Sequence, residues 1–123
     1  MQEIEEQLFQ AVQSNNFDAV QKLLQNGADV DVRNADGKTA LQLAQDDDIA
    51  DLLIEYDSDV NVCDENGDSL LHHAVRSGKM YKIKLLIAFG ADVNAKNKKQ
   101  ETPIVCTTNQ EIKDVLKTHG ATE

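Results

Sequence analysis

One short phrase recurs along this chain, and its recurrence constrains the fold more than any other feature. Gly27-Ala28-Asp29-Val30-Asp31 returns as Asp57-Ser58-Asp59-Val60-Asn61 and again as Gly90-Ala91-Asp92-Val93-Asn94; it begins once more at Gly120-Ala121. The spacings are 30, 33 and 30 residues. A paired aliphatic step precedes each copy: Leu23-Leu24, Leu52-Leu53, Leu85-Leu86 and Val115-Leu116. A little beyond the first three copies comes a turn and then Thr39-Ala40-Leu41, Ser69-Leu70-Leu71-His72 or Thr102-Pro103-Ile104. A period of this size marks a stacked array of small units, none of which buries its apolar face alone.

Each repeat reads as two short helices and a turn. In the third, Ser69 is a good N-cap, and Leu70, Leu71, Ala74 and Val75 form one apolar face. Ser77-Gly78 ends that helix. Residues 80–89 make a second helix, with Ile83, Leu85, Leu86 and Ile87 apolar and Lys79, Lys82 and Lys84 solvated. Asn66-Gly67 is a tight-turn signal, and Pro103 sits just inside a helix start, where its missing N–H does no harm. No helix is expected to exceed about ten residues, too short to be stable alone.

Composition removes several classes of function. The chain has 123 residues, one domain's worth, with a net charge of −10. Aromatic residues make up only 4%, which argues against a large aromatic-lined ligand pocket. No cofactor is expected. No uncharged apolar run is long enough to span a membrane, and the acidic N-terminus does not read as a secretory signal. Two cysteines, Cys63 and Cys106, are too few for a disulfide scaffold, which points to an intracellular, cytoplasmic setting, with the nucleus or delivery into a host cell as alternatives. Residues 1–75 hold 17 acids and 3 bases, whereas residues 76–123 hold 5 acids and 9 bases. The acidic part repels phosphate backbones, so neither nucleic acid nor membrane is an expected partner. A monomer is expected.

In these phrases the chain resembles the ankyrin-repeat family, whose repeat of about 33 residues runs from Thr-Pro-Leu-His to Gly-Ala-Asp-Val-Asn. The resemblance covers nearly the whole chain. It implies an all-α solenoid of helix-turn-helix repeats with projecting β-turn hairpins. Residues 1–123 would form one domain, with repeats of about 1–33, 34–63, 64–96 and 97–123. Departures from the pattern carry expectations of their own. Thr39 to Asp57 and Thr102 to Gly120 each span 18 residues, against 21 from Ser69 to Gly90. The loss is expected in the turns between helices, at residues 45–48 and 107–109. Asp57 and Gln100 stand where the pattern has glycine, and Gln100 is expected to remodel the fourth hairpin. Polar residues 2–7, and Lys113, Asp114, Lys117 and His119, read as caps shielding the ends of the stack.

The resemblance implies a protein-protein interaction module, not an enzyme. Its partner-binding residues would be the hairpin tips and inner-helix ends: Ala35, Asp36 and Lys38; Glu65, Asn66, Asp68, Arg76 and Ser77; Lys98, Lys99 and Glu101, with Gln13 and Ser14 in the first repeat. All are read as solvated, so reversing Glu65 and Asp68 is expected to leave stability unchanged. The acidic repeats would steer a partner with a basic surface. A second reading is a dedicated inhibitor, of immunity-protein or effector type, that occludes an enzyme. A third is a metal or catalytic site using His72, His73 and Cys106. Against it, adjacent helical residues point about 100° apart. The resemblance gives His72 the role of holding the Ser69 hydroxyl, and makes Cys63 a hairpin residue and Cys106 a buried helical one. Asp46-Asp47-Asp48 reads as a helix cap or as a cation or docking patch, and the two are compatible. Finally, the family resembles substrates of an asparaginyl hydroxylase. Leu53 and Leu86 stand eight residues before Asn61 and Asn94, each preceded by Asp-Val, which makes these two the candidate hydroxylation sites.

Overall fold

The structure, a computed structural model, describes residues 3–122. In chain order its helices are α1 (Glu3–Gln13), α2 (Phe17–Gln25), α3 (Ala40–Leu43), α4 (Asp47–Glu55), α5 (Leu70–Ser77), α6 (Met80–Ala88) and α7 (Gln110–Thr118). A single 3-10 turn, Pro103–Cys106, lies between α6 and α7. An isolated antiparallel bridge joins Cys63 to Ser69. No described helix is long and apolar enough to cross a membrane.

Most helices begin where a side chain accepts one of the first free backbone N–H groups. Asn16, Asp46 and Asn109 accept from Ala19, Ile49 and Ile112 at the starts of α2, α4 and α7. Asp46 therefore caps α4, while Asp47 and Asp48 occupy its first turn, where the helix dipole favours them. Thr39 and Ser69 close reciprocal capping boxes with Gln42 and His72. The fourth repeat has Val105 at the corresponding place, which has no acceptor to offer. Thr102 makes no side-chain cap, and Pro103 opens only a four-residue 3-10 turn in place of the expected helix.

The shortening of the second and fourth repeats falls elsewhere than expected. Outer helices α2, α4, α6 and α7 all keep nine residues. The inner element has eight residues in α5 but four in α3 and four in the 3-10 turn. The missing residues are thus a turn of the inner helix, not of the connection. Cys106, expected to be buried and helical, is half-buried on the 3-10 turn.

The chain divides into two compact units, Met1–Asp59 and Val60–Glu123. In the first, α1 packs on α2 and α3, and α4 on α2 and α3. Leu8, Val12, Val20, Leu24, Leu41, Ile49, Leu53 and Ile54 form its core. In the second, α5 packs on α6 and on the 3-10 turn, which also meets α7. Its core holds Leu71, Val75, Ile83, Leu86, Ile104, Ile112 and Leu116 around fully buried His72. The charge divides along the same boundary: 14 acids against 3 bases in the first unit, and 8 against 9 in the second.

The recurring phrase has a structural role. Within the first unit, the backbone N–H of Asp29 donates to Glu5 Oε2 (3.0 Å) and that of Asp59 to Asp31 Oδ1 (2.8 Å). Within the second, Asn61 accepts from Asp92 N–H at 2.8 Å and donates to Gly90 O at 3.0 Å. Asn94 repeats this with Thr122 (3.1 Å) and Gly120 (3.1 Å). Glu5 is accordingly buried, not the solvated end cap expected; Asp114, Lys117 and His119 are exposed as expected and Lys113 partly so.

Candidate functional site

Three hairpin fingers, residues 34–38, 64–68 and 97–101, are built alike. In each, the first residue is Asn or Asp, and its Oδ1 accepts two backbone N–H groups. Asn34 accepts from Asp36 (2.9 Å) and Lys38 (3.0 Å), Asp64 from Asn66 (2.9 Å) and Asp68 (3.0 Å), and Asn97 from Lys99 and Glu101 (both 2.9 Å). The fourth position takes a positive φ: Gly37 at 77°, Gly67 at 75° and Gln100 at 64°. Gln100 therefore does not remodel its finger. The turn bond Gln100 N–H to Asn97 O (3.0 Å) matches that of Gly67 to Asp64 O (3.0 Å). Asp57 likewise takes the glycine conformation, at φ 66°.

In the second unit two fingers lock together. Lys98 N–H donates to Asn66 O at 3.0 Å. A Cβ on Gly67 would lie 2.9 Å from Lys98 N and 3.2 Å from Asn97 Cα, so only glycine fits. Behind them lies a groove of about 440 Å³ lined by Asn66, Asp68, Arg76, Asn97, Lys98, Lys99 and Glu101. Six of the seven were expected partner-binding residues.

Asp68 departs from its expected role as a solvated turn residue. Its side chain is 8% exposed and receives both Arg76 Nη atoms, at 2.8 and 3.1 Å, and Asn97 Nδ2 at 2.8 Å. The Arg76 hydrogen bonds first, then Asn97, hold its carboxyl well below the usual carboxylate range, against the effect of burial. The Asp68 bonds in turn raise the Arg76 guanidinium above its already high value. Glu101 Oε1 accepts from Asn97 Nδ2 at 3.0 Å and lies 3.8 Å from Arg76 Nη2. Reversal of Asp68 is therefore not neutral for stability.

The other expected residues do not join the groove. Ala35, Asp36 and Lys38 are exposed on the first unit's finger, Glu65 and Ser77 are exposed beside the groove, and Gln13 and Ser14 are exposed at the end of α1. His72 Nδ1 accepts from Ser69 N–H (3.0 Å) and pairs with Ser69 Oγ (2.8 Å); this assigns the proton to Nε2, which donates to Glu101 O at 2.8 Å. Both ring nitrogens are thus engaged. His73 is exposed and pairs with Asp64 at 2.9 Å. Burial pushes the Asp64 carboxyl up, but the His73 bond and the backbone N–H groups of Asp68 and Asn66 bring it below the ordinary value. Asp64, Asp68 and His73 place three metal-ligand-type atoms within 4.8 Å of one another, but each residue is already bonded inside the protein. Burial raises the Cys106 thiol; neither cysteine is in a disulfide, and Cys63 is exposed. Asn61 and Asn94 are exposed, yet both ends of each carboxamide are bonded to backbone. An enzyme acting on either must first release them.

The sequence reading missed Asn34, Asp64 and Asn97. Their signal was present: they recur at spacings of 30 and 33, always five residues before Thr39, Ser69 or Thr102.

A family model described as ankyrin repeats, three copies, matches residues 8–97 and 43–120. The chain belongs to the ankyrin-repeat family. Ankyrin repeats are protein-protein interaction modules, generally without enzymatic activity. This ankyrin-repeat chain is 33% identical over 116 residues to ankyrin repeat and SOCS box protein 11 of Danio rerio, covering 92% of the chain and 39% of that relative. It is 36% identical over 95 residues to the nuclear factor NF-kappa-B p105 subunit of Gallus gallus, covering 72% of the chain and 10% of the relative. It is 31% identical over 111 residues to the B-cell lymphoma 3 protein homolog of Mus musculus, covering 87% and 25%. The chain thus spans well under half the length of these curated relatives.

Proposed function

We propose that this chain binds another protein through its fingers and the inner-helix ends beside them, and that the acidic first unit favours a basic partner surface. The observation that carries the reading is the gathering of Asn66, Asp68, Arg76, Lys98, Lys99 and Glu101 around one groove. Each finger is held by side-chain and backbone bonds before any partner arrives, so little ordering entropy is lost on this side of the interface. No chemistry is assigned to His72 or Cys106: both ring nitrogens of His72 are bonded, and burial raises the Cys106 thiol.

The test is affinity capture with the whole chain, followed by capture with exposed finger residues changed: Asp36→Lys, Glu65→Lys and Lys99→Glu. Loss of the partner with these changes, but not with Lys117→Glu on α7, supports the reading. A partner retained equally by all variants places its interface elsewhere. The captured partner's association rate should fall as salt rises from about 0.05 to 0.5 M, because the Debye length shrinks from roughly 14 to 4 Å. A salt-independent rate removes electrostatic steering.

A further inference from the structure

The groove of the second unit carries a charge opposite to that of the chain as a whole. The finger at 64–68 holds three acids, Asp64, Glu65 and Asp68, and the finger at 97–101 follows Lys96 and contains Lys98 and Lys99. The acids facing the groove are neutralised from within. Asp68 is bound by Arg76 and Asn97, and Glu101 is bonded to Asn97 and lies near Arg76. The bases are not: Lys98 and Lys99 are exposed, and among the described residues neither has an ion-pair partner. Asn66 lines the same groove, and among the described residues its carboxamide has no hydrogen-bond partner. Two exposed lysines and Asn66 therefore line a small polar cleft together with Arg76.

We propose that this groove receives an Asp or Glu side chain from an extended segment of the partner protein. A carboxylate there meets Lys98 and Lys99 as charges and Asn66 Nδ2 as a donor, with the Arg76 guanidinium, already close to Asp68 and Glu101, adding to the positive field. A cationic side chain would meet two unpaired ammonium groups and find both groove carboxylates occupied. The volume of about 440 Å³ is ample for an acidic side chain. The proposal rests on the protein-binding reading above and names the chemistry of its partner at this one groove. The partner then presents a basic surface to the first unit and an acidic side chain to the second.

The test is an NMR titration of the ¹⁵N-labelled whole chain, at about 0.05 M salt, with end-blocked octaglutamate, octaglutamine and octalysine. The net charge of −10 repels octaglutamate at long range, so binding has to come from a local basic site, and the residues whose signals shift distinguish the groove from the lysines of α6. Octaglutamate is expected to shift the Asn66 side-chain amide, the Arg76 Nε–H and the Lys98 and Lys99 backbone, and octaglutamine to leave them in place. The double variant Lys98→Glu, Lys99→Glu should bind octaglutamate at least about tenfold more weakly with its melting temperature unchanged, since reversing two rim charges removes attraction and adds repulsion. The proposal is overturned if octaglutamine shifts the same groups as strongly, if octalysine occupies the groove instead, or if the double variant binds octaglutamate undiminished. The protein-binding reading fails by a different result: capture of the partner unaffected by every finger substitution.

Discussion

Asp68→Asn tests whether the groove floor is a structural element. The substitution keeps the shape, removes the charge, and turns one acceptor oxygen into a donor. One of the three bonds at 2.8, 3.1 and 2.8 Å then becomes donor against donor. A hydrogen bond to a charged group is worth about 1.5–3 kcal/mol, and breaking a fully buried ion pair costs about 3–5 kcal/mol. Arg76 is 38% exposed, so water takes over part of its solvation, and the expected loss is about 2 kcal/mol. At about 4 °C per kcal/mol for a chain of this size, the midpoint falls by about 8 °C. The loss must also depend on pH. The folded carboxyl is held below its unfolded value of about 3.9, so its contribution is complete above that value and is lost as pH falls towards the folded one. The gap between the two proteins should shrink by about 1.4 kcal/mol per pH unit below about 3.9. Urea unfolding at pH 7 and pH 3, followed by circular dichroism, measures both, with Glu65→Gln as an exposed control expected to change stability by less than about 0.5 kcal/mol. An unchanged midpoint at pH 7, or a gap as wide at pH 3 as at pH 7, refutes the reasoning.

Three further perturbations isolate single features. Gly67→Ala and Gly37→Ala meet the same backbone strain at φ 75° and 77°, but only Gly67 has backbone within 4 Å of the new Cβ. The first should cost about 2–3 kcal/mol and the second about 1 kcal/mol in chemical unfolding, and equal losses would count against the locked fingers. Gln100→Gly relieves about 1–2 kcal/mol of left-handed strain at an entropic cost of about 0.5–1 kcal/mol, so stability should rise slightly; a clear fall would assign the Gln100 side chain a role its geometry does not show. Asn61→Asp keeps the acceptor for Asp92 N–H but loses the donor to Gly90 O. It should cost about 1 kcal/mol while hydrogen exchange at the Asp92 amide stays protected, and loss of that protection would show that the donor side carries the link.

The ankyrin-repeat family, the caps at Ser69 and Asp46 and the glycine stop at Gly78 were legible because each is decided within a few residues. The inner-helix shortening was not. A count of residues between two landmarks says how many are missing, but packing decides which element gives them up. Here α4 and α7 bury Ile49, Leu53, Ile112 and Leu116, so the inner elements shorten instead. The groove residues were legible by their register as a set, yet Asp68 was misjudged. Its burial depends on Arg76 and Asn97, eight and twenty-nine residues away, and local pattern carries no information about such distant partners. Gln100 was misjudged for a related reason: Asn97 supplies enough bonds to hold a strained neighbour in place.

The asparagines at 61 and 94 read two positions of the chain ahead, a carbonyl and an N–H two residues apart. Asp31 reads one, the N–H of Asp59. A two-point latch cannot slip by a residue without losing both contacts, whereas a one-point latch can be re-formed by any N–H that reaches it. The closing phrase of a repeat thus serves as an address label for its successor. A foreign repeat grafted behind Asn61 would have to present the same carbonyl and N–H pair to be accepted, and one grafted behind Asp31 would face a looser requirement.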